Sequence, residues 1–513
     1  MNGPDRNNAG SSLPAQGAIS SPAARSGLSP GRKDLAAAGL ILLYCLLFAV
    51  LRLAVSSSME LDESEQFLNG SYFSLGYPHQ PPLYSWIVHS MSLPFGMNLG
   101  TLIVAKYTIL FFFYLSVYLI ARAFWNSRAS LLVTASLLFF PTFSYEFNRD
   151  LSHSVLVTAM ASISCYFFLR LQQRKRTVDY LFLGVSLGLG LLSKYNFLFF
   201  LSALVLAAAS FREGRRVLFD RRTFLSLAGC LLTVFPHALW LVQNKFLPLR
   251  HALNKAEAGG LPLSEPQKVL PVILSSYSGV IIFLAIFTVL FGFRASRPVG
   301  RSRHSSSLFG YLVCYGLSIP LFVITVLRTG HFSERWLAPL LFCLPLAMFS
   351  RIDPESEGPG VKALGYVAVF VAVAIFLARS FIGFFPDDAG KVERIHIPFG
   401  KISAQLKEAL REKGIGDLRG LTLVTDSELL AANMGYRLPG TTILLTDREQ
   451  TGRNGGSGTK TKVILWDAGR RGENIPDVFI RKYPSALPLG VLRAPYLRSS
   501  RFPPYALGVA LLR

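Results

Sequence analysis

Residues 35–55 read LAAAGLILLYCLLFAVLRLAV; shortly after, residues 61–67 read LDESEQF and residues 76–83 read GYPHQPPL. The first stretch is an apolar run of about 20 residues, the length needed to cross a bilayer, and it is too long for the core of a cleaved leader. We read it as the first transmembrane helix. The stretch after it is of another character: four carboxylates (Glu60, Asp62, Glu63, Glu65), His79 and three prolines, with no Lys or Arg between Ser56 and Gly100. Ionisable residues gathered at a bilayer boundary point to a functional site.

The rest of the chain agrees with a membrane class. Of 513 residues, 51% are hydrophobic and 16% charged, with a mean hydropathy of +0.40, whereas about a quarter of a soluble domain is charged. Eleven apolar stretches are candidate spans, near 35–55, 102–121, 129–146, 152–169, 180–193, 196–211, 223–242, 270–293, 307–327, 336–350 and 362–385. The net charge of +22 would suit nucleic acid, but the basic residues fall in short runs between apolar segments, at 170–176, 212–222 and 294–303. That is the pattern of loops retained in the cytoplasm, so nucleic acid is not an expected partner. Arg25, Arg32 and Lys33 before the first span, and Arg122 and Arg128 after the second, fit the same alternating topology. The five cysteines all lie within apolar segments, with neither a disulfide framework nor metal-ligand spacing. We expect no cofactor and no essential metal.

This topology places the N-terminus inside and the polar residues outside the basic runs on the outer face. These are Asp62, Glu63 and His79; Glu146, Arg149, Asp150 and His153; Lys194; His237, Asn244 and Lys245; and His331, Glu334 and Arg335. The chain divides into a disordered cytoplasmic tail (1–34, rich in Gly, Pro, Ser, Ala and Asn), a membrane domain (35–385, first outer loop 56–101) and an extracytoplasmic tail (386–513). In the tail, Ile402, Leu406 and Leu410 mark an amphipathic helix, and 421–425, 442–445 and 462–466 read as short strands. Residues 448–460 are Gly-rich and polar and read as a loop. The expected fold is an all-α polytopic membrane domain of about eleven helices with a small C-terminal α/β domain.

At the residue level, Asp62-Glu63 followed by Gly76-Tyr77-x-His79-x-Pro81-Pro82-Leu83 resembles the first outer loop of the C-type-fold membrane glycosyltransferases. The resemblance is to the branch holding the protein O-mannosyltransferase-like, aminoarabinose and galacturonic acid transferases (families 39 and 83). Arg149-Asp150-Leu-Ser-His153, Gly190-Leu-Leu-Ser-Lys194-Tyr195 and His331-Phe-x-Glu334-Arg335-Trp336-Leu-x-Pro339 extend it over roughly residues 35–350. The chain departs from the pattern at Gln80, where Pro often stands, and at Glu65, where an aromatic is common.

The resemblance implies a polyprenyl-phosphate sugar as donor, a glycolipid or protein acceptor at the outer face of the inner membrane, and inversion at the anomeric carbon. An acceptor hydroxyl then needs a carboxylate base, and the departing lipid phosphate needs fixed cations. Asp62 is the expected base, with Glu63 as its alternative or neighbour and Asp150 as the second acid; Asp62 with Glu65 also fits a helix-capping pattern. His79, Arg149, Lys194, His331 and Arg335 are the expected donor and phosphate contacts. A lysine as isolated as Lys194 either meets an anion or snorkels to the interface. A lipid or solute transporter is the alternative function, although neither inverted repeats nor midplane charges are visible.

Overall fold

The computed structural model describes residues 31–250, 266–292, 302–326, 332–352, 354–446 and 461–512. Residues 1–30, most of the 294–303 basic run, His331 and the 448–460 loop lie outside these. Six helices are each long and apolar enough to cross a bilayer: Arg32–Val55, Leu99–Arg122, Ser152–Arg174, Thr223–Gln243, Ser307–Val326 and Pro359–Phe384. Three further apolar segments are bent pairs, so up to nine spans are present among the described residues. Shorter apolar helices at Thr177–Leu191 and Ala338–Phe349 occupy the fifth and tenth stretches. Large apolar side chains such as Leu232, Tyr366 and Phe370 face outward from these helices, as a hydrocarbon solvent requires.

The bends have no counterpart in the sequence reading. The third segment breaks by 88° between Ser127–Phe139 and Thr142–Arg149, where Pro141 precedes a π-helical turn at Thr142–Glu146. The eighth breaks by 56° at Tyr277. There the Glu334 carboxylate accepts from Ser278 Oγ at 2.9 Å, from the Gly279 N–H at 3.0 Å and from Thr142 Oγ1 at 2.6 Å. Glu334 thus ties three segments together and makes no pair with Arg335.

The two ends of the bundle differ chemically. At one end Asp34 accepts from Arg122 Nε (2.7 Å), Tyr118 (2.5 Å) and Ser127 (2.6 Å), so the first helix begins at Arg32, inside the stretch expected to be a tail. On that face Arg128 pairs with Glu357 (3.5 Å), and Arg222 donates to the Lys175 carbonyl (2.6 Å). The basic runs at 122–128, 170–176 and 212–222 therefore share a face. The first helix ends at Val55 on the opposite face, which also holds the starts of Leu99–Arg122 and Ser152–Arg174.

The C-terminal domain sits on that opposite face. Its sheet has the order β2-β1-β3-β5-β4, with β1 (Thr422–Thr425), β2 (Thr442–Leu445) and β3 (Lys462–Asp467) parallel. β4 (Leu487–Ala494) and β5 (Tyr505–Leu512) form an antiparallel hairpin on β3 that the sequence pattern does not announce. Helix Phe399–Glu412 buries Ile402, Leu406 and Leu410 as expected, and Glu428–Arg437 is an additional helix.

Docking runs through residues 52–64. Arg52, near the C-terminal end of the first helix, donates Nε to Glu63 Oε1 (3.0 Å) and Nη2 to Glu63 Oε2 (2.6 Å). It also donates to the carbonyls of Ser56 (3.0 Å) and Ser58 (2.7 Å). The corner so formed reaches the tail: Ser56 Oγ donates to the Ile395 carbonyl (2.6 Å), Ser58 Oγ to that of Ile397 (2.8 Å) and the Met59 N–H to Asn433 Oδ1 (2.9 Å). Arg394 stands 3.8 Å from Glu60. Burial, then the Glu63 charge, push the Glu60 carboxyl up to about 7.

The corner can be tested in two ways. Removing one partner of the buried Arg52–Glu63 pair, by Glu63→Gln or Arg52→Met, lowers unfolding stability by about 3 kcal/mol, read as an earlier thermal transition of the detergent-solubilised chain. The raised Glu60 pKa means the folded state favours the protonated acid, so its contribution is complete below the ordinary carboxylate range and is lost as pH rises through about 7. The melting temperature therefore falls between about pH 5 and about pH 8, and Glu60→Gln removes that part of the fall.

Candidate active site

Helix Leu61–Gly70 carries the first carboxylates. Its start is set by Glu60 at the N-cap, where Glu63 Oε2 reaches back to accept the Glu60 N–H at 2.8 Å. The cap is therefore the Glu60–Glu63 pair and not Asp62 with Glu65. Both Glu63 oxygens are taken by this bond and by Arg52, so Glu63 is bound into the frame of the loop. Asp62 is half-buried on the first turn, and no hydrogen bond or ion pair among the described residues engages its carboxylate.

Among the buried groups within electrostatic reach of Asp62 are Asp150, Lys106 and His153. Asp150 is 6% exposed and its Oδ1 has no hydrogen-bond partner among the described residues. Burial, then the Asp62 and Glu60 charges, raise its carboxyl well above the carboxylate range, with Lys106 opposing. It sits on a strained turn: Leu151 is left-handed (φ 66°, ψ 41°), a conformation costing about 1–2 kcal/mol for a residue with a Cβ. The turn ends the broken third span and starts helix Ser152–Arg174, which delivers the carboxyl into the protein. Lys106, 3% exposed, lies inside the apolar helix Leu99–Arg122. It is absent from the candidates read from sequence; its signal is an ammonium two turns into a span, where an anion is obligatory.

A second layer holds His153. Ser85 Oγ donates to Gln66 Oε1 (2.9 Å), the Gln66 amide donates to His153 Nε2 (2.8 Å), and His153 Nδ1 faces the Ser193 carbonyl (3.4 Å). This chain is satisfied by the tautomer with the proton on Nδ1. Tyr84 packs on the imidazole with ring centroids 5.4 Å apart. Lys194, one residue past Ser193, donates to Ser154 Oγ at 2.9 Å. Asp62, Asp150, Lys106, His153 and Lys194 thus converge from four segments.

The other expected residues stand further out. Arg149 pairs with Glu146 at 3.1 Å, not with Asp150. His79 Nε2 lies 4.0 Å from Glu428 of the tail domain. Arg335 is exposed and has no bonded partner among the described residues. His237 is a pin: its Nδ1 meets the Leu75 carbonyl at 2.9 Å. Beside it Trp240 covers Gly76, where a Cβ would come 2.2 Å from the indole. Asn244 donates to its own helix, at the Trp240 carbonyl (2.8 Å).

Comparison with known proteins defines the class. Residues 79–240 match the family described as dolichyl-phosphate-mannose-protein mannosyltransferase. The chain is 30% identical over 414 residues to the lipopolysaccharide core galacturonosyltransferase RgtB of Rhizobium johnstonii, covering 80% of this chain and 82% of that protein. It is 27% identical over 506 residues to the galacturonosyltransferase RgtA of the same organism, covering 95% and 99%. The crystal structure of ArnT from Cupriavidus metallidurans bound to undecaprenyl phosphate shares the fold, with a TM-score of 0.57 at 15% identity over 92% of this chain and 97% of that one. The apo form of the same protein gives 0.56 at 14% identity, covering 93% and 98%. The chain belongs to the C-type membrane glycosyltransferases, in the branch that contains these galacturonosyltransferases. It is an integral-membrane glycosyltransferase, and the transporter alternative is set aside.

Lys106 is the cation that opposes the carboxylate charge here. Replacing it by Met leaves the Asp150 carboxyl without that opposition, so it is pushed further up. The acid limb of the pH profile of kcat/KM accordingly moves to higher pH in Lys106→Met. A profile that falls without moving would assign Lys106 to folding alone.

Proposed function

We propose that this enzyme transfers a galacturonosyl or related sugar from a polyprenyl-phosphate donor to a hydroxyl of a lipopolysaccharide-type glycolipid, at the outer face of the inner membrane. Asp62 is the general base. The N-terminus is cytoplasmic and the C-terminal domain periplasmic, with residues 35–385 as the catalytic membrane unit and 386–513 as the unit that meets the acceptor. Support for the donor and acceptor classes comes from relatives that act on the lipopolysaccharide core and from a structural neighbour that binds undecaprenyl phosphate.

The observation that carries the assignment is the contrast between the two acids. Asp150 is enclosed, with its pKa raised by burial and by Asp62. Asp62 is half-open and unengaged among the described residues. Two neighbouring carboxyls whose surroundings differ in this way divide the work. Asp62 accepts the acceptor proton as the hydroxyl oxygen bonds to the anomeric carbon. The bond from that carbon to phosphate breaks, its electron pair leaving with the polyprenyl phosphate. Asp150, its carboxyl raised by burial and by Asp62, and the opposing Lys106 together set the field around Asp62. Lys194, on the same wall as His153, meets the departing phosphate, with Arg149, Arg335 and His79 at the mouth and His331 assigned with them from its motif alone. Guanidinium and ammonium groups suit phosphate oxygens.

Asp62→Asn keeps the shape of the residue and removes the base. With an acceptor hydroxyl, kcat falls by about 10²- to 10⁴-fold while the melting temperature is unchanged. Mass spectrometry of envelope glycolipids from cells with and without the gene then shows a sugar that is absent both in the deletion and in the Asp62→Asn strain. Wild-type levels of sugar in the Asp62→Asn strain would remove Asp62 from the mechanism.

A further inference from the structure

A cleft of about 430 Å³ lies in the tail domain, outside the buried cluster. It opens at the carboxyl ends of parallel strands β1 and β3, the edge where α/β sheets characteristically take ligands. Asp426 and Ser427 follow β1, Asp467 ends β3, and Arg470 and Arg471 come from the short helix after it. The opposite wall belongs to the docking region, through Leu61 and Arg394. Leu61 immediately precedes Asp62, and Glu428, on the cleft wall, is the residue facing His79 at 4.0 Å. The cleft therefore lies beside the start of the helix that carries Asp62.

We propose that this cleft binds the saccharide part of the acceptor, and specifically a sugar chain carrying anionic groups, carboxylate or phosphate. The proposal rests on the glycosyltransferase reading above and adds where the acceptor is held. The lining suits sugar on each count. Asp426, Asp467 and Glu428 accept from ring hydroxyls. Leu61 and Leu429 offer apolar surface to C–H faces. Arg471 is already paired with Asp426. By contrast, Arg470 stands 3.6 Å from Asp467 and Arg394 3.8 Å from Glu60, both longer than a hydrogen bond. Their N–H groups remain for an incoming oxyanion, which is what selects an acidic sugar over a neutral one. A prenyl chain has no place among these charges, so the donor tail does not compete for the cleft. A sugar seated here extends past Leu61 toward the carboxylate one residue on.

Arg470 is the residue to test. Its side chain is 78% exposed, and its ion pairing among the described residues is this long contact, so changing it leaves the fold intact. The full-length enzyme in detergent is titrated with core oligosaccharide released from lipopolysaccharide by mild acid, with undecaprenyl phosphate, and with phosphatidylglycerol vesicles. Arg470→Glu is expected to weaken oligosaccharide binding and raise the acceptor KM about tenfold, with undecaprenyl phosphate binding and kcat unchanged. Arg481→Glu, on an exposed helix away from the cleft, controls for overall charge and should do neither. The cleft is ruled out as the acceptor site if Arg470→Glu binds oligosaccharide like wild type, if Arg481→Glu weakens it equally, or if phosphatidylglycerol displaces the oligosaccharide. Wild-type enzyme that neither binds undecaprenyl phosphate nor transfers sugar would instead overturn the functional reading itself.

Discussion

One buried ion pair governs the catalytic face. An arginine three residues from the end of a lipid-facing helix has no solvent to return to, and Arg52 answers this by binding both oxygens of Glu63 and two backbone carbonyls. Those bonds close residues 56–60 into a corner. The corner fixes where helix Leu61–Gly70 begins, and with it the face on which Asp62 emerges. The same corner supplies Ser56, Ser58 and Met59 to the tail domain. Membrane helix, first loop and tail are thus in register because a single guanidinium cannot be left unpaired.

The same physics decides how much is legible in the sequence. Spans are legible because hydrocarbon demands a long apolar run, and nearly every stretch picked out by hydropathy is helical here. The breaks are not legible, because they depend on groups far along the chain: Glu334 stabilises the bend at Tyr277 only once folding brings them together. Asp62, Asp150 and Lys194 are visible as polar residues out of place between greasy ones. Lys106 escapes notice because it sits inside a span that otherwise reads cleanly. Glu63 looks equivalent to Asp62, since nothing local says that Arg52, eleven residues earlier, claims one acid and not the other. The hairpin β4–β5 is hidden because its strands, at 487–494 and 505–512, carry Pro488, Gly490 and Gly508, which read as loop.

The site resolves a conflict common to enzymes at membrane interfaces. A base must be accessible to a polar acceptor, yet the field that tunes it must come from groups shielded from water. In the proposed mechanism the tuning groups, Asp150 and Lys106, are buried, and the proposed base, Asp62, is half-open. Burial makes their charges count for more than they would in water, and the Leu151 turn keeps Asp150 enclosed at a cost in backbone strain that only a packed surround can sustain.

The division of the molecule into two faces then has a functional consequence. Net positive charge is concentrated where the basic runs meet, on the face away from Asp62. On the catalytic face several cations are matched by carboxylates: Arg52 by Glu63, Arg379 by Glu393 at 2.9 Å, Arg149 by Glu146. A broadly basic catalytic face would hold any anionic lipid headgroup it met. Where charges are neutralised in place, affinity for anions shifts to the cations set at unmatched or loosely matched positions. Recognition of an anionic donor and an anionic acceptor can then be separated by position along the face, even though both are presented by the same bilayer surface.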